Sequence, residues 1–154
     1  MTARANRGIR HVSLVKMCVG IDTVPQLIEV QKRRLAERRR LKQPAELYHR
    51  TRQVPKRAGE VVAGGSLYWV IKGFVRVRQH IVRIDILEPP VDLKRCALVL
   101  APELVRTELQ ARRPFQGWRY LEGRDAPADL PEGADAGDEL PPELAGELRD
   151  LGLL

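Results

Sequence analysis

The stretch that decides the fold is SLYWVIKG at 66–73, followed directly by FVRVRQHIVRIDIL at 74–87. Residues 66–72 alternate between two faces, as in a β-strand, with Leu67, Trp69 and Ile71 on one face and Tyr68, Val70 and Lys72 on the other. Gly73 interrupts this pattern, so we expect it to break the strand or form a bulge. The sequence therefore predicts one strand over 66–72 and a second that starts at Phe74.

The second strand changes phase along its length. In its first half, the alternation of apolar and polar residues predicts inward positions for Val75, Val77 and Ile81. It predicts outward positions for Arg76, Arg78 and His80. After Ile81 the apolar residues are Val82, Ile84 and Ile86, which a β-bulge near 80–82 would place inward as well. Glu88-Pro89-Pro90 is expected to close this strand.

Upstream of this pair, the pattern predicts a strand and then a long helix. HVSLVKMCVG at 11–20 is typical of a buried strand, which Lys16 interrupts unless it points to an edge or a site. Asp22 and Thr23 can cap a helix that runs to about residue 41. The helix places Val24, Leu27, Ile28 and Leu35 on one side and cations on most of the rest.

The remaining segments are shorter. Residues 45–54 are predicted as an irregular connection with a short helical turn, 55–63 as a short helix, and 95–100 as a strand, whereas 103–109 suits a strand or a helix equally. The predicted fold class is α+β: a mixed, mostly antiparallel, curled sheet of five or six strands with one long basic helix and a short second helix. The predicted division is a flexible extension at 1–10, one domain at 11–124, and an acidic, Pro/Gly-rich disordered tail at 125–154.

Charge is divided unevenly along the chain. Residues 122–154 contain ten acidic and two basic side chains, a net charge of −8, which leaves +15 on residues 1–121. A domain this basic attracts polyanions, so nucleic acid is the expected partner. No apolar run is long enough to cross a bilayer of about 30 Å. Two cysteines in apolar stretches predict buried thiols and a reducing cytoplasm; the Arg-rich start would also suit an organellar transit peptide.

Candidate binding residues are cations and aromatic rings. The helix contributes a cationic run at 32–42, which is either a phosphate-binding surface or an ordinary solvated face. A cleft that takes single-stranded nucleic acid needs cations for the backbone and rings for the bases. The residues predicted to supply them are Lys16, Arg50, Arg52, Lys56, Arg57, Tyr68, Arg76, Arg78, His80, Trp118 and Arg119. For Trp69 and Trp118 we favour core positions over a stacking role, since large rings usually go into the interior of a small domain.

Other chemistry finds little support in the sequence. Gly64-Gly65-Ser66 precedes a strand and lacks the lysine of a phosphate-binding loop, so it is predicted as a turn. The three histidines have no metal-ligand spacing, and no cofactor motif or nucleophile elbow is present. We therefore expect no metal and no cofactor, and we assign no catalytic residue.

Four motifs together resemble one family. LVKMCVG at 14–20, VPKRAGEVVAGGSLYWVIKG at 54–73, RQHI at 78–81 and RRPFQGWRYL at 112–121 are similar in content and order to the alphaproteobacterial domain-of-unknown-function family 1489. The resemblance covers about residues 11–130. It implies no particular activity.

The predicted element order also resembles PUA-like domains of the EVE and ASCH branches. Lys16, the basic segment at 50–57 and the glycine turn at 64–65 fall where those domains have their opening strand, pocket loop and glycine turn. Ser66 stands where that family commonly has aspartate, and its tryptophan and asparagine signatures are missing. The resemblance implies a curled pseudo-barrel whose cleft accepts a nucleobase, a nucleotide or an RNA segment.

These observations favour a module that binds RNA, more than DNA, or a nucleotide, with a nucleobase held in a basic cleft. One alternative is an adaptor for an acidic protein, with the helix at 24–41 as its contact surface. The other is an enzyme acting on a phosphorylated or nucleotide substrate, which needs a titratable group such as His80 or Asp85 beside the cleft.

Overall fold

A computed structural model describes residues 11–131 of the chain. They form seven strands and two α-helices: β1 (Val12–Met17), α1 (Val24–Arg40), β2 (Leu47–Thr51), α2 (Ala58–Val62), β3 (Ser66–Ile71), β4 (Phe74–Val91), β5 (Lys94–Leu100), β6 (Val105–Ala111) and β7 (Trp118–Glu122). A short 3-10 turn follows at Gly123–Asp125. The α+β prediction is confirmed, and the sheet has seven strands instead of five or six.

The strands form one open sheet in the order β2-β5-β4-β3-β1-β7, and β6 also pairs with β4. Only the β1–β3 pairing among the described strands is parallel, so the predicted mixed, mostly antiparallel sheet is confirmed. The long β4 holds the sheet together because its first half pairs with β3 and β6 and its second half with β5. The PUA-like pseudo-barrel stays a prediction.

Strand β3 is an interior strand of the sheet, and both of its faces are buried. Leu67, Trp69 and Ile71 join the larger core, which α1 and α2 cover. Tyr68 and Val70 join a smaller core on the opposite face, where Phe115 and Ala126 pack against them. The alternation in 66–71 thus divides the strand between two cores, as the period of a β-strand requires.

Helix α1 begins as predicted. The Thr23 hydroxyl oxygen accepts a hydrogen bond from the Gln26 backbone N–H at 3.2 Å, and Pro25 lies in the first turn. This cap satisfies one of the free N–H groups at the helix start. Val24 and Leu27 are buried in the larger core, and Ile28 and Leu35 pack against it, which confirms the predicted apolar side.

Strand β4 shifts register at three places: at Arg76, at Val82, and between Ile86 and Val91. Val77 pairs with Trp69 and Val75 with Val70, so Arg76 is an extra residue that turns inward and is only 3% exposed. Its predicted outward position is wrong, and Val75 belongs to the smaller core for the same reason. The second bulge lies at Val82 and confirms the predicted one.

Beyond the second bulge, the structure differs from the predicted burial. Ile84 packs against the larger core, but Val82 and Ile86 are 45% and 55% exposed. This half of β4 forms a hairpin with β5, and Val82 and Ile86 belong to neither core, so their predicted inward positions are wrong. The sequence predicted that the strand closes at Glu88-Pro89-Pro90. In the structure it continues through both prolines to Val91.

Two other segments differ from their predicted structure. Residues 47–51, predicted within an irregular connection, form β2 along the edge of β5, and the ambiguous 103–109 stretch contributes to β6. Leu130 donates its backbone N–H to Arg106 and Glu108 donates to Ala128, so residues 128–130 lie along β6. The extension at 1–10 and the tail from 132 onward lie outside the described residues, and the domain division stays a prediction.

Candidate functional site

Three of the predicted phosphate-binding arginines are held by the protein itself. Arg57 forms ion pairs of 2.7 Å with Glu60 and with Glu122. Arg78 donates two hydrogen bonds to the Asp129 carboxylate, at 2.8 and 2.7 Å. Arg76 donates from Nε to the Ile71 carbonyl oxygen at 2.7 Å. Arg57 and Arg78 are thus paired with carboxylates, and Arg76 is bound to the backbone, so each of these arginines connects parts of the fold.

The two predicted stacking residues are buried. Tyr68 and Trp118 are 8% and 6% exposed, and Trp118 Nε1 donates to the Gln53 carbonyl oxygen at 3.0 Å. Their rings are covered by the two cores, so the structure does not present them to a base. The alternative that Trp69 and Trp118 are core residues is confirmed.

The remaining predicted residues are spread over the surface. Arg50, Arg52 and Lys56 are exposed along β2 and the connection after it. His80 is exposed on β4, where Nδ1 donates to the Gly65 carbonyl oxygen at 3.1 Å. Arg119 lies on the edge strand β7, with its guanidinium 4.8 Å from the centre of the Phe115 ring. These side chains do not share one surface.

Lys16 is different, because it lines a cleft between the end of β1, helix α1 and strand β2. The inner cleft has a volume of about 330 Å³. Its wall includes Lys16, Cys18, Gln31, Arg34, Tyr48, His49 and Trp69. It shares Arg34, Leu47, Tyr48 and His49 with an outer groove of about 420 Å³, which Arg38 and Arg50 also line. Lys16 and Arg50 are thus the two predicted residues that the structure brings to this region.

The sheet sets the position of Lys16. It pairs laterally with Trp69 on β3 and with Trp118 on β7, so the lysine stem lies in a row with two indoles. Burial lowers the pKa of Lys16, and the nearby charge of Lys94 lowers it further. The sequence predicted that Lys16 points to an edge or a site, and the structure places it in the wall of the inner cleft.

His49 forms the other wall of the inner cleft. Its ring meets the Trp69 ring edge to face, with centres 5.1 Å apart, and its Nε2 is buried without a hydrogen-bond partner. Burial lowers the pKa of His49 to about 4, and the charges of Lys16, Lys94 and Arg34 act in the same direction. The imidazole is therefore neutral at physiological pH.

The cleft has a surplus of positive charge. Within residues 11–131, none of Lys16, Arg34 and Lys94 forms an ion pair. The acids beside the outer groove are occupied, since Glu37 pairs with Arg40 and Glu46 pairs with Arg83 at 2.6 Å. Burial raises the pKa of the Cys18 thiol to about 12, so it adds no negative charge. A cluster of cations without a counter-ion is a site for an anion.

The low pKa of His49 predicts a pH dependence of stability. The unfolded chain binds more protons than the folded one between the folded pKa of about 4 and the ordinary value of 6.5. The free energy of unfolding should therefore fall as the pH drops through this window, by up to about 3 kcal/mol from this residue. Denaturant unfolding of the wild type and His49→Gln at several pH values measures the difference. Identical pH profiles of the two proteins would contradict the assignment.

The prediction missed His49, Tyr48 and Lys94. The alternation in LYHRT at 47–51 is the signal that could have placed His49 and Leu47 on the inner face of a strand. The residues considered for an enzyme lie elsewhere: His80 contacts Gly65, and Asp85 pairs with Arg83 at 2.9 Å. Among residues 11–131, no three His, Cys, Asp or Glu side chains are grouped to hold a metal ion. No helix in the same range is long and apolar enough to cross a membrane.

A comparison with protein families gives one match. The family model described as "Protein of unknown function (DUF1489)" matches residues 14–154. No curated protein and no solved structure matches the chain. The matched range includes every residue that lines the inner cleft, from Lys16 to Leu100.

Proposed function

The chain belongs to the DUF1489 family of proteins of unknown function. From its cleft, we propose that it is a module that binds RNA and accepts one nucleotide of a single strand. The observation that carries this proposal is a cleft lined by Lys16 and Arg34, with Lys94 close enough to lower the pKa of Lys16; none of the three forms an ion pair among the described residues. Phosphate groups are the anions that such lysine and arginine clusters bind in nucleic acids.

The outer groove supports a base beside the phosphate. The Arg38 guanidinium lies 4.2 Å from the centre of the Tyr48 ring, and both side chains line the groove. Guanidinium planes and aromatic rings are the surfaces on which unpaired bases stack. His49 Nε2 adds a neutral hydrogen-bonding group between the two cavities. The cleft thus combines charge, a stacking surface and a polar group within a space suited to a small ligand.

The binding test uses the full-length, nuclease-treated protein and a fluorescent single-stranded RNA at several salt concentrations, with heparin and the same sequence as DNA in parallel. We expect RNA to bind more tightly than heparin near physiological salt. Lys16→Gln and Arg34→Gln should each weaken RNA binding by about tenfold, or 1.4 kcal/mol. Each should also lower the salt slope by about 0.7 for the lost phosphate contact.

Arg119→Gln is the matched control, because it removes one positive charge from the other face of the sheet, where Arg119 pairs with Val15 and stacks on Phe115 of the smaller core. It should leave the affinity within about twofold of the wild type, since a charge that does not contact RNA acts only through screened electrostatics. Equal losses in Arg119→Gln and Lys16→Gln would mean that net charge alone attracts RNA. Equal binding of RNA and heparin would also sink the proposal.

A further inference from the structure

The charge of the inner cleft distinguishes between two kinds of phosphate. Lys16 and Arg34 line it, and Lys94 is close enough to act on both Lys16 and His49. An internal phosphodiester brings one negative charge, whereas a terminal phosphomonoester carries about −1.5 to −2 at neutral pH. Three cations without counter-ions among the described residues are therefore better matched by a strand end than by a linkage within the strand.

The shape of the cleft favours the same ligand. Its volume of about 330 Å³ is near the lower limit for small-molecule pockets, so it fits one nucleotide and not a run of them. Apolar side chains of Ile21, Leu27 and Leu100 contribute to its wall. A nucleotide inside a strand needs two exits for its neighbours, but a terminal nucleotide needs one. The outer groove, which shares Arg34 and His49 with the cleft, supplies that exit.

His49 completes the set of phosphate contacts. Its Nε2 is buried without a hydrogen-bond partner among the described residues, so a hydrogen bond to a bound ligand would compensate the cost of burying it. In the tautomer that carries a proton on Nε2, the ring donates a hydrogen bond to a phosphoryl oxygen. Resting on the proposed function, we propose that the inner cleft binds the terminal phosphomonoester of an RNA strand through Lys16, Arg34, Lys94 and His49 Nε2–H.

The experiment compares one short RNA sequence in three forms, with a 5′-phosphate, a 3′-phosphate or hydroxyl groups at both ends. Binding to the full-length protein is measured at a fixed salt concentration near the physiological value. We expect one phosphorylated form to bind at least about tenfold more tightly than the hydroxyl form, as one or two extra charge-assisted hydrogen bonds would give. The two phosphorylated forms show which strand end the cleft accepts.

Variants locate the preference in the cleft. Lys16→Gln and Lys94→Gln should each reduce the preference to about threefold or less, while Arg39→Gln, on the exposed side of α1, should keep it. Lys94 is on the β4–β5 hairpin, so its variant tests the contact even if Lys16→Gln folds poorly. Equal affinity for all three RNA forms overturns the terminal-phosphate proposal and leaves the binding function intact. A preference that survives in both lysine variants also overturns it, whereas no binding of any form overturns the proposed function itself.

Discussion

Gly65→Ala is expected to destabilise the protein by about 3 kcal/mol or more. A Cβ atom at residue 65 would lie 2.2 Å from the Val12 carbonyl oxygen and 2.6 Å from the Val61 carbonyl oxygen. Both are backbone atoms, so the clash can be relieved only by moving β1 and α2 away from β3. The Gly65 backbone also donates to Val61 at 2.7 Å and accepts from Ile81 at 3.1 Å, and these bonds would be strained.

Gly64→Ala is the control for this effect. The nearest atom to a Cβ at residue 64 is the His11 Nδ1, at 3.5 Å, which is an ordinary contact with a side chain. We expect this variant to change the free energy of unfolding by no more than about 0.5 kcal/mol, as for other surface substitutions. Denaturant unfolding of both variants measures the difference. Similar stabilities would show that β1 and α2 can separate here without loss, and that close packing does not require glycine at 65.

Gln79→Ala should cost about 3–4 kcal/mol because Gln79 is the centre of a buried polar network. Its side-chain oxygen accepts from Trp69 Nε1 and from Gln31 Nε2, each at 2.9 Å. Its amide nitrogen donates to the Gln31 side-chain oxygen at 2.9 Å and to the Ala101 carbonyl oxygen at 3.0 Å. The variant leaves the Trp69 indole N–H, the Gln31 amide and the Ala101 carbonyl without this partner. It also opens a cavity, because the Gln79 side chain that it removes is 0% exposed.

A double-mutant cycle separates the network from the cavity. Gln31→Ala with Gln79→Ala should cost less than the two single variants summed, because the amide pair is lost only once. Gln116→Ala, at an exposed glutamine, should change stability by less than about 0.5 kcal/mol. Additive losses in the cycle would mean that the two amides stabilise the fold independently, and not as a pair that joins α1 to the sheet.

Much of the secondary structure follows from local patterns. The alternation in 66–71, the capped start at Thr23 and the apolar side of α1 depend on residues close in the sequence, and the structure confirms each. The prediction failed where pairing changed the pattern. Residues 47–51 become a strand because β5 is available beside them. Arg76 turns inward because the register between β3 and β4 shifts by one residue there.

The candidate site was predicted only in part for a similar reason. A cation contributes to binding when it is close to the site and has no acid partner, and both conditions depend on residues distant in the sequence. Asp129 holds Arg78 from 51 positions away, and Glu122 holds Arg57 from 65 positions away. Among the described residues, Arg34 and Lys94 form no ion pair. Arg34 was already part of the predicted cationic run, but nothing in the local sequence distinguishes these two cations from Arg39 or Lys56.

The sequence by itself determined the family, the α+β class, the central strand, the long helix, the uneven charge and an unusual lysine in the first strand. Periodicity, capping and composition are local properties, and they are complete in the chain before it folds. Only the tertiary structure decided which of the described cations remain unpaired, which rings are buried, and that Lys16, Arg34 and His49 line one cleft. The order of the strands brings those residues together, and strand order depends on non-local pairing that no local pattern contains.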